Sequence, residues 1–174
     1  MPEHQPWEGT SPRAVVLGIG NLLLTDEGFG PAFVAYLQEN WELPAGVRAV
    51  DGGTGGLQLL SDFQQAELLI IVDIVRAGGD PGDVYRFTPD EVPLHASLRQ
   101  SAHQVSAVEA WHMARLLGEA PDAVIVGVEP ADYQTPHVGL SQALSARLPV
   151  VAEVVIEELT RYGFPAPVAR GRNG

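Results

Sequence analysis

The chain has 174 residues, 22 acidic against 10 basic, for a formal net charge of −12, and no cysteine. The length fits one domain of the usual ~100–200 residues. The acidic balance argues against nucleic acid and anionic membrane surfaces as partners. The missing cysteines exclude disulfides, thiolate metal sites, iron–sulfur clusters and cysteine nucleophiles.

Residues 1–13 are polar and proline-rich, with no basic or apolar leader pattern, and read as a flexible extension of a cytoplasmic protein. No apolar run approaches the ~20 residues of a membrane span. Ala14–Ile19 (AVVLGI) is a short buried strand. The loop GNLLLTDEGFG follows. A helix then carries Phe33, Val34, Leu37 and Trp41 at helical spacing, with Pro31 suited to its first turn. Val47–Val50 is a second strand, ending at Asp51, and Leu57, Leu59, Leu60 and Phe63 suggest a short helix. Leu68–Val72 (LLIIV) is the most apolar strand and ends at Asp73.

After the turn cluster GGDPG, Asp83–Thr88 alternates as a hairpin or edge strand, and 91–101 is irregular. Val105–Leu117 is a helix, Ala123–Val128 a buried strand, and Ser141–Tyr162 one long helix with Ser141 as N-cap. Residues 163–174 read as a loose tail. Apolar strands alternating with amphipathic helices predict a three-layer α/β/α domain over 14–162, with a twisted, mostly parallel sheet of about five strands.

Sites in such folds form at the carboxyl ends of the strands. Acids recur there: Asp26 and Glu27 after the first strand, Asp51 after the second, Asp73 at the third, Glu129 after Val128. Asp and Gly are common in any strand-to-helix turn, so no single one decides a function. GIGN lacks the third glycine of a dinucleotide fingerprint, and no P-loop exists. Leu22, Leu23 and Leu24 would ordinarily pack inward; exposed, they would suit a protein partner. Of the five histidines, His103 opens a helix where it can project over the sheet edge, whereas His4 lies in the extension and His112 within a helix. Histidine with two carboxylates suits nickel, zinc, iron or manganese.

The segments GIGNLLLTDEGFG (18–30), DGGTGGLQLL (51–60), IVD (71–73), SAHQ (101–104) and VGVEP (126–130) together resemble the hydrogenase maturation endopeptidases, over nearly the whole of 14–162. These proteases remove a C-terminal extension from the large-subunit precursor of nickel–iron hydrogenases. The resemblance implies that Glu27, Asp73 and His103 contact the metal. It also implies that Asp51, Asp73 and Glu27 serve as catalytic carboxylates, and that nickel arrives with the precursor rather than as a resident cofactor. The pairing Asp73-Ile74 departs from the Asp-Ala common among relatives. The ligand set alone leaves two rivals: a small-molecule metallo-hydrolase with its own metal, and a non-catalytic nickel or assembly chaperone.

Overall fold

The structure, a computed structural model, describes residues 13–55, 66–91 and 102–171, with the side chains of 102–106 outside the described set. Residues 1–12 of the expected extension (1–13), the helix around 57–63, His95 and the segment 92–101 lie outside the described residues.

Strands β1 (Ala14–Ile19), β3 (Val47–Gly53), β4 (Leu68–Ile74), β5 (Val84–Phe87) and β6 (Asp122–Val128) form one sheet in the order β3-β1-β4-β6-β5. Every contact between neighbours is parallel except β5 against β6. Burial explains the pattern. All seven residues of β4 and all six of β1 are buried, the mark of central strands covered on both faces. β5 is half-exposed and occupies an edge, so the alternating segment 83–88 is an edge strand rather than half of a local hairpin.

Alternate residues supply two cores. Val16, Leu68, Ile70, Val72, Val124 and Val126 face α1 (Phe29–Asn40) and its neighbours, meeting Phe29, Phe33 and Leu37 at i, i+4, i+8 spacing. Val15, Leu17, Ile19, Leu69, Ile71 and Ile125 face α2 (Ala102–Leu116), meeting Ala107, Ala110, Trp111 and Ala114. The three-layer α/β/α reading holds.

Two expectations are corrected. The long helix 141–162 is two helices, α3 (Gln142–Ser145) and α4 (Leu148–Arg161). Pro149 has no N–H to give Ser145 and crowds the preceding turn, so the helix restarts there. Ser141 is the N-cap, its hydroxyl accepting from Leu144 N at 3.3 Å. The described part of the tail, 163–171, is docked rather than loose: Phe164 is buried, and β7 (Val168–Ala169) pairs antiparallel with β2 (Trp41–Glu42). Apolar burial of Phe164 and the short ladder hold it.

Candidate active site

The loop after β1 is drawn tight by glycines. A Cβ on Gly30 would lie 2.2 Å from Ile19 O and 2.6 Å from Val72 O, and one on Gly18 would lie 2.2 Å from Gly30 O. The start of α1 therefore rests directly on the backbones of β1 and β4. Asn21 N donates to Glu27 O at 2.9 Å, closing the loop on itself. That closure sets Glu27, in the 3-10 turn Thr25–Gly28, at the carboxyl edge of the sheet.

Asp26 and Glu27 are both buried, but they do different work. Asp26 Oδ2 accepts from Ala131 N and Asp132 N at 2.9 Å and from Ser141 Oγ at 3.0 Å; Oδ1 accepts from Ser141 N at 2.8 Å. With its acceptor positions filled, Asp26 is a clamp that fixes the segment 131–141 over the sheet edge. Thr25 reinforces it, its hydroxyl donating to Thr135 O at 2.7 Å from a strained φ of 43°. Residue pattern alone does not separate these neighbours, because the partners that decide the matter lie more than 100 residues away; only the family resemblance singles out Glu27.

Asp73 is the anomaly of the edge. It is 1% exposed. Its Oδ1 accepts from Ile74 N at 2.7 Å, and its Oδ2 has no hydrogen-bond partner among the described residues. Burial holds its pKa well above the ordinary carboxylate range; the Ile74 N–H opposes this, and the charge of Glu27 adds to it. A buried orphan acceptor costs about 1–3 kcal/mol. Two carboxyls close enough to couple, one lacking a donor, are chemically suited to receive a cation or to handle a proton.

Asp51 behaves otherwise. It is exposed and its Oδ1 accepts from Gly53 N at 2.8 Å, a local turn contact. In register it aligns with Gly18 and Val72, whereas Asp73 is one residue further on. The two carboxylates thus alternate to opposite faces of the sheet: Asp51 to that of α1, Asp73 to that of α2. Glu129 is also committed elsewhere. Its carboxylate accepts from Ala77 N at 2.8 Å and Tyr85 Oη at 3.2 Å, anchoring the loop after β4.

His103 is the second residue of α2, and its side chain lies outside the described residues. Its backbone position is informative. α2 covers the face on which Asp73 lies, and its far end leads through a short connection into the start of β6. Fifteen helical residues span ~22 Å and seven strand residues ~23 Å, which returns the first turn of α2 to the carboxyl edge. Among the described residues no group of three His, Asp or Glu gathers as a metal site.

The leucines of the loop are not all packed inward. Leu22 and Leu23 are 46% and 65% exposed. The backbone here is committed to a distant segment: Leu23 O accepts from His137 N at 3.0 Å, and Thr25 N donates to His137 O at 2.9 Å, next to the exposed Val138 in sequence.

A family model described as hydrogenase maturation protease matches residues 31–158, a segment containing Asp51, Asp73 and His103. The chain belongs to the hydrogenase maturation protease family. It is 36% identical over 178 aligned positions to the hydrogenase expression/formation protein HoxM of Azotobacter vinelandii, covering 94% of this chain and 86% of that protein. It is also 36% identical to the hydrogenase 2 maturation protease of Escherichia coli K12, covering 88% of this chain and 94% of that one. Among solved structures it resembles the hydrogenase maturating endopeptidase HybD of E. coli at a TM-score of 0.80 and 32% identity, over 91% of this chain and 98% of that chain. A solution structure of an endopeptidase from E. coli matches at a TM-score of 0.83 and 34% identity, over 92% and 99%. This member of the family is therefore an endopeptidase of hydrogenase maturation. No helix among its described residues is long and apolar enough to cross a membrane.

Proposed function

We propose that this enzyme removes the C-terminal extension of a nickel-loaded large-subunit precursor of a nickel–iron hydrogenase, in the cytoplasm. The observation that carries the reading is the buried, partnerless Oδ2 of Asp73 beside the charge of Glu27. A fold tolerates such a carboxyl where a ligand supplies the missing partner. Glu27, Asp73 and His103 form the proposed metal-contacting set, with nickel brought by the substrate. Asp51 is assigned an outlying role at the rim of the cleft.

The chemistry follows from these groups. The substrate's metal, held between Glu27 and Asp73, fixes the tail relative to the carboxyls, converting a loose encounter into an oriented one. An approaching cation favours the ionised form of Asp73 and draws its proton off. A carboxylate then takes a proton from the water that attacks the scissile carbonyl and returns it to the leaving amine nitrogen as the C–N bond breaks, in an aspartic-type hydrolysis. An unmetallated tail gains neither the clamp nor the ionisation. The exposed Leu22 and Leu23 at the rim suit contact with a protein substrate rather than a small molecule.

The test is the mass of the large subunit before and after incubation with this enzyme. Nickel-loaded precursor is expected to shorten and nickel-free precursor to stay intact. His103→Ala and Glu27→Gln are expected to abolish shortening while the fold persists. Unchanged length with the wild-type enzyme would identify an assembly chaperone instead. One equivalent of metal in the purified enzyme after a chelator wash would favour a hydrolase with a resident ion.

A further inference from the structure

The loop after β4 carries a cation that the reaction as described does not use. The guanidinium of Arg76 lies 4.3 Å from the ring centroid of Tyr133. Among the described residues it has no carboxylate partner, whereas Arg86, Arg115 and Arg161 each have one.

Both halves of the stack stand on fixed supports. On the Arg76 side, Val75 N donates to Val128 O at 2.9 Å and Ala77 N to Glu129 Oε2 at 2.8 Å, so the backbone is pinned before and after it. On the other side, Asp26 holds Ala131 N and Asp132 N, and Asp132 Oδ1 accepts from Gln134 N and Thr135 N at 3.1 and 3.0 Å around Tyr133. The stack is also close to the acids. Arg76 is three residues beyond Asp73, so their Cα atoms are at most ~11 Å apart. Tyr133 follows the segment clamped by the neighbour of Glu27.

A ring under the guanidinium face braces it without consuming its in-plane N–H donors, which match a carboxylate two at a time. In a chain of net charge −12, a braced cation at the acidic edge, without a carboxylate partner among the described residues, is a place where an anion meets attraction. The anions of an unmodified polypeptide at neutral pH are carboxylates. We propose that Arg76, braced on Tyr133, is a carboxylate subsite that grips the substrate's tail beside the scissile bond, through an Asp or Glu side chain or the terminal carboxylate. The inference rests on the reading that the substrate is a polypeptide tail.

The experiment is steady-state cleavage of the nickel-loaded precursor. Arg76→Gln is expected to raise KM roughly 10- to 100-fold, the worth of a charge-assisted hydrogen bond, with kcat nearly unchanged. Tyr133→Leu, which removes the brace, is expected to raise KM less. Arg76→Lys, which keeps charge without the fork, is expected to recover part of the loss. Two substrate arms separate the sources. Either neutralising the tail's Asp and Glu as Asn and Gln, or amidating its C-terminus, reproduces the KM rise with wild-type enzyme. The same change then has no effect on Arg76→Gln. An unchanged KM in both Arg76→Gln and Tyr133→Leu, with wild-type cleaving, overturns the subsite and leaves the proposed function standing. KM losses that add to both substrate changes overturn it equally. A wild-type enzyme that leaves the precursor uncut overturns both.

Discussion

Asp26 and Ser141 are joined twice, the carboxylate accepting from the serine N–H at 2.8 Å and from its hydroxyl at 3.0 Å across 115 residues of chain. The same hydroxyl caps α3 through Leu144 N. One buried carboxylate thus ties the loop bearing Glu27 to the segment bearing Tyr133 and to the start of the helices that close the domain. Asp26→Asn presents an N–H2 where N–H groups already point. The expected cost is about 3 kcal/mol, from lost charge-assisted bonds and stranded donors. At ~2–4 °C per kcal/mol for a chain of this size, the thermal midpoint falls by about 6–12 °C. Glu27→Gln, one residue on, is expected to leave the midpoint within a few degrees while abolishing cleavage. Equal midpoints for the two variants would contradict the clamp.

Asp73 carries the opposite signature, a group that costs the fold. Its folded pKa is raised by burial and by Glu27, while its unfolded value is the ordinary ~3.9. Between the two, the folded state binds the extra proton. The stabilising protonated form is therefore fully present below pH ~4, and stability is lost as pH rises through the folded pKa. Asp73→Asn removes the titration. Its thermal midpoint is expected to exceed that of the wild type at neutral pH by a few degrees, with the gain vanishing near pH 4, while cleavage is lost. A variant less stable than wild type at pH 7 would show that the carboxylate supports the fold instead.

The contact of α1 with the sheet tests whether the glycines set the site. The three atoms nearest a methyl on Gly30 are all backbone, Ile19 O and N and Val72 O, each under 3 Å away. No side chain can swing aside. Gly30→Ala is expected to cost at or above the upper end of the ~1–3 kcal/mol range for overpacking. Because α1 must then lift from β1, Glu27 moves with it, and cleavage should fall further than the stability loss accounts for. A chemical denaturation midpoint equal to wild type would refute this.

What was legible in the chain followed from local pattern. β4 reads as a central strand because LLIIVDI is apolar almost throughout, and Ser141 reads as a cap because its hydroxyl sits just before an apolar helical run. What was not legible depends on distant partners. The role of Asp26 is decided by Ser141, and the docking of Val168 and Ala169 by Glu42 and Trp41. The separation of Asp51 from Asp73 is decided by the register of β3 and β4 against β1. Leu22 and Leu23 are exposed in a loop held to the distant His137 through Leu23 O and Thr25 N, which no hydropathy pattern encodes. Pro149 is the exception. Its break of the 141–162 helix was readable from a missing N–H.

Glu158 lies on α4, 1% exposed, with Arg86 Nη1 at 2.5 Å and Arg161 Nη1 at 3.4 Å. It is the only buried acid of that helix, and Arg86 reaches it from the edge strand β5, tying the antiparallel edge to the helical layer. Removing one partner of a buried pair costs about 3–5 kcal/mol when the other charge is left alone. Here Arg161 remains and Arg86 is itself 43% exposed, so Arg86→Leu is expected to cost less, about 2 kcal/mol. Replacing both as Arg86→Leu with Glu158→Leu removes the stranded charge and is expected to regain most of that loss. The measurement is a double-mutant cycle by chemical denaturation. Losses that simply add would show the pair to be energetically independent and the edge strand to be held by its ladder to β6 alone.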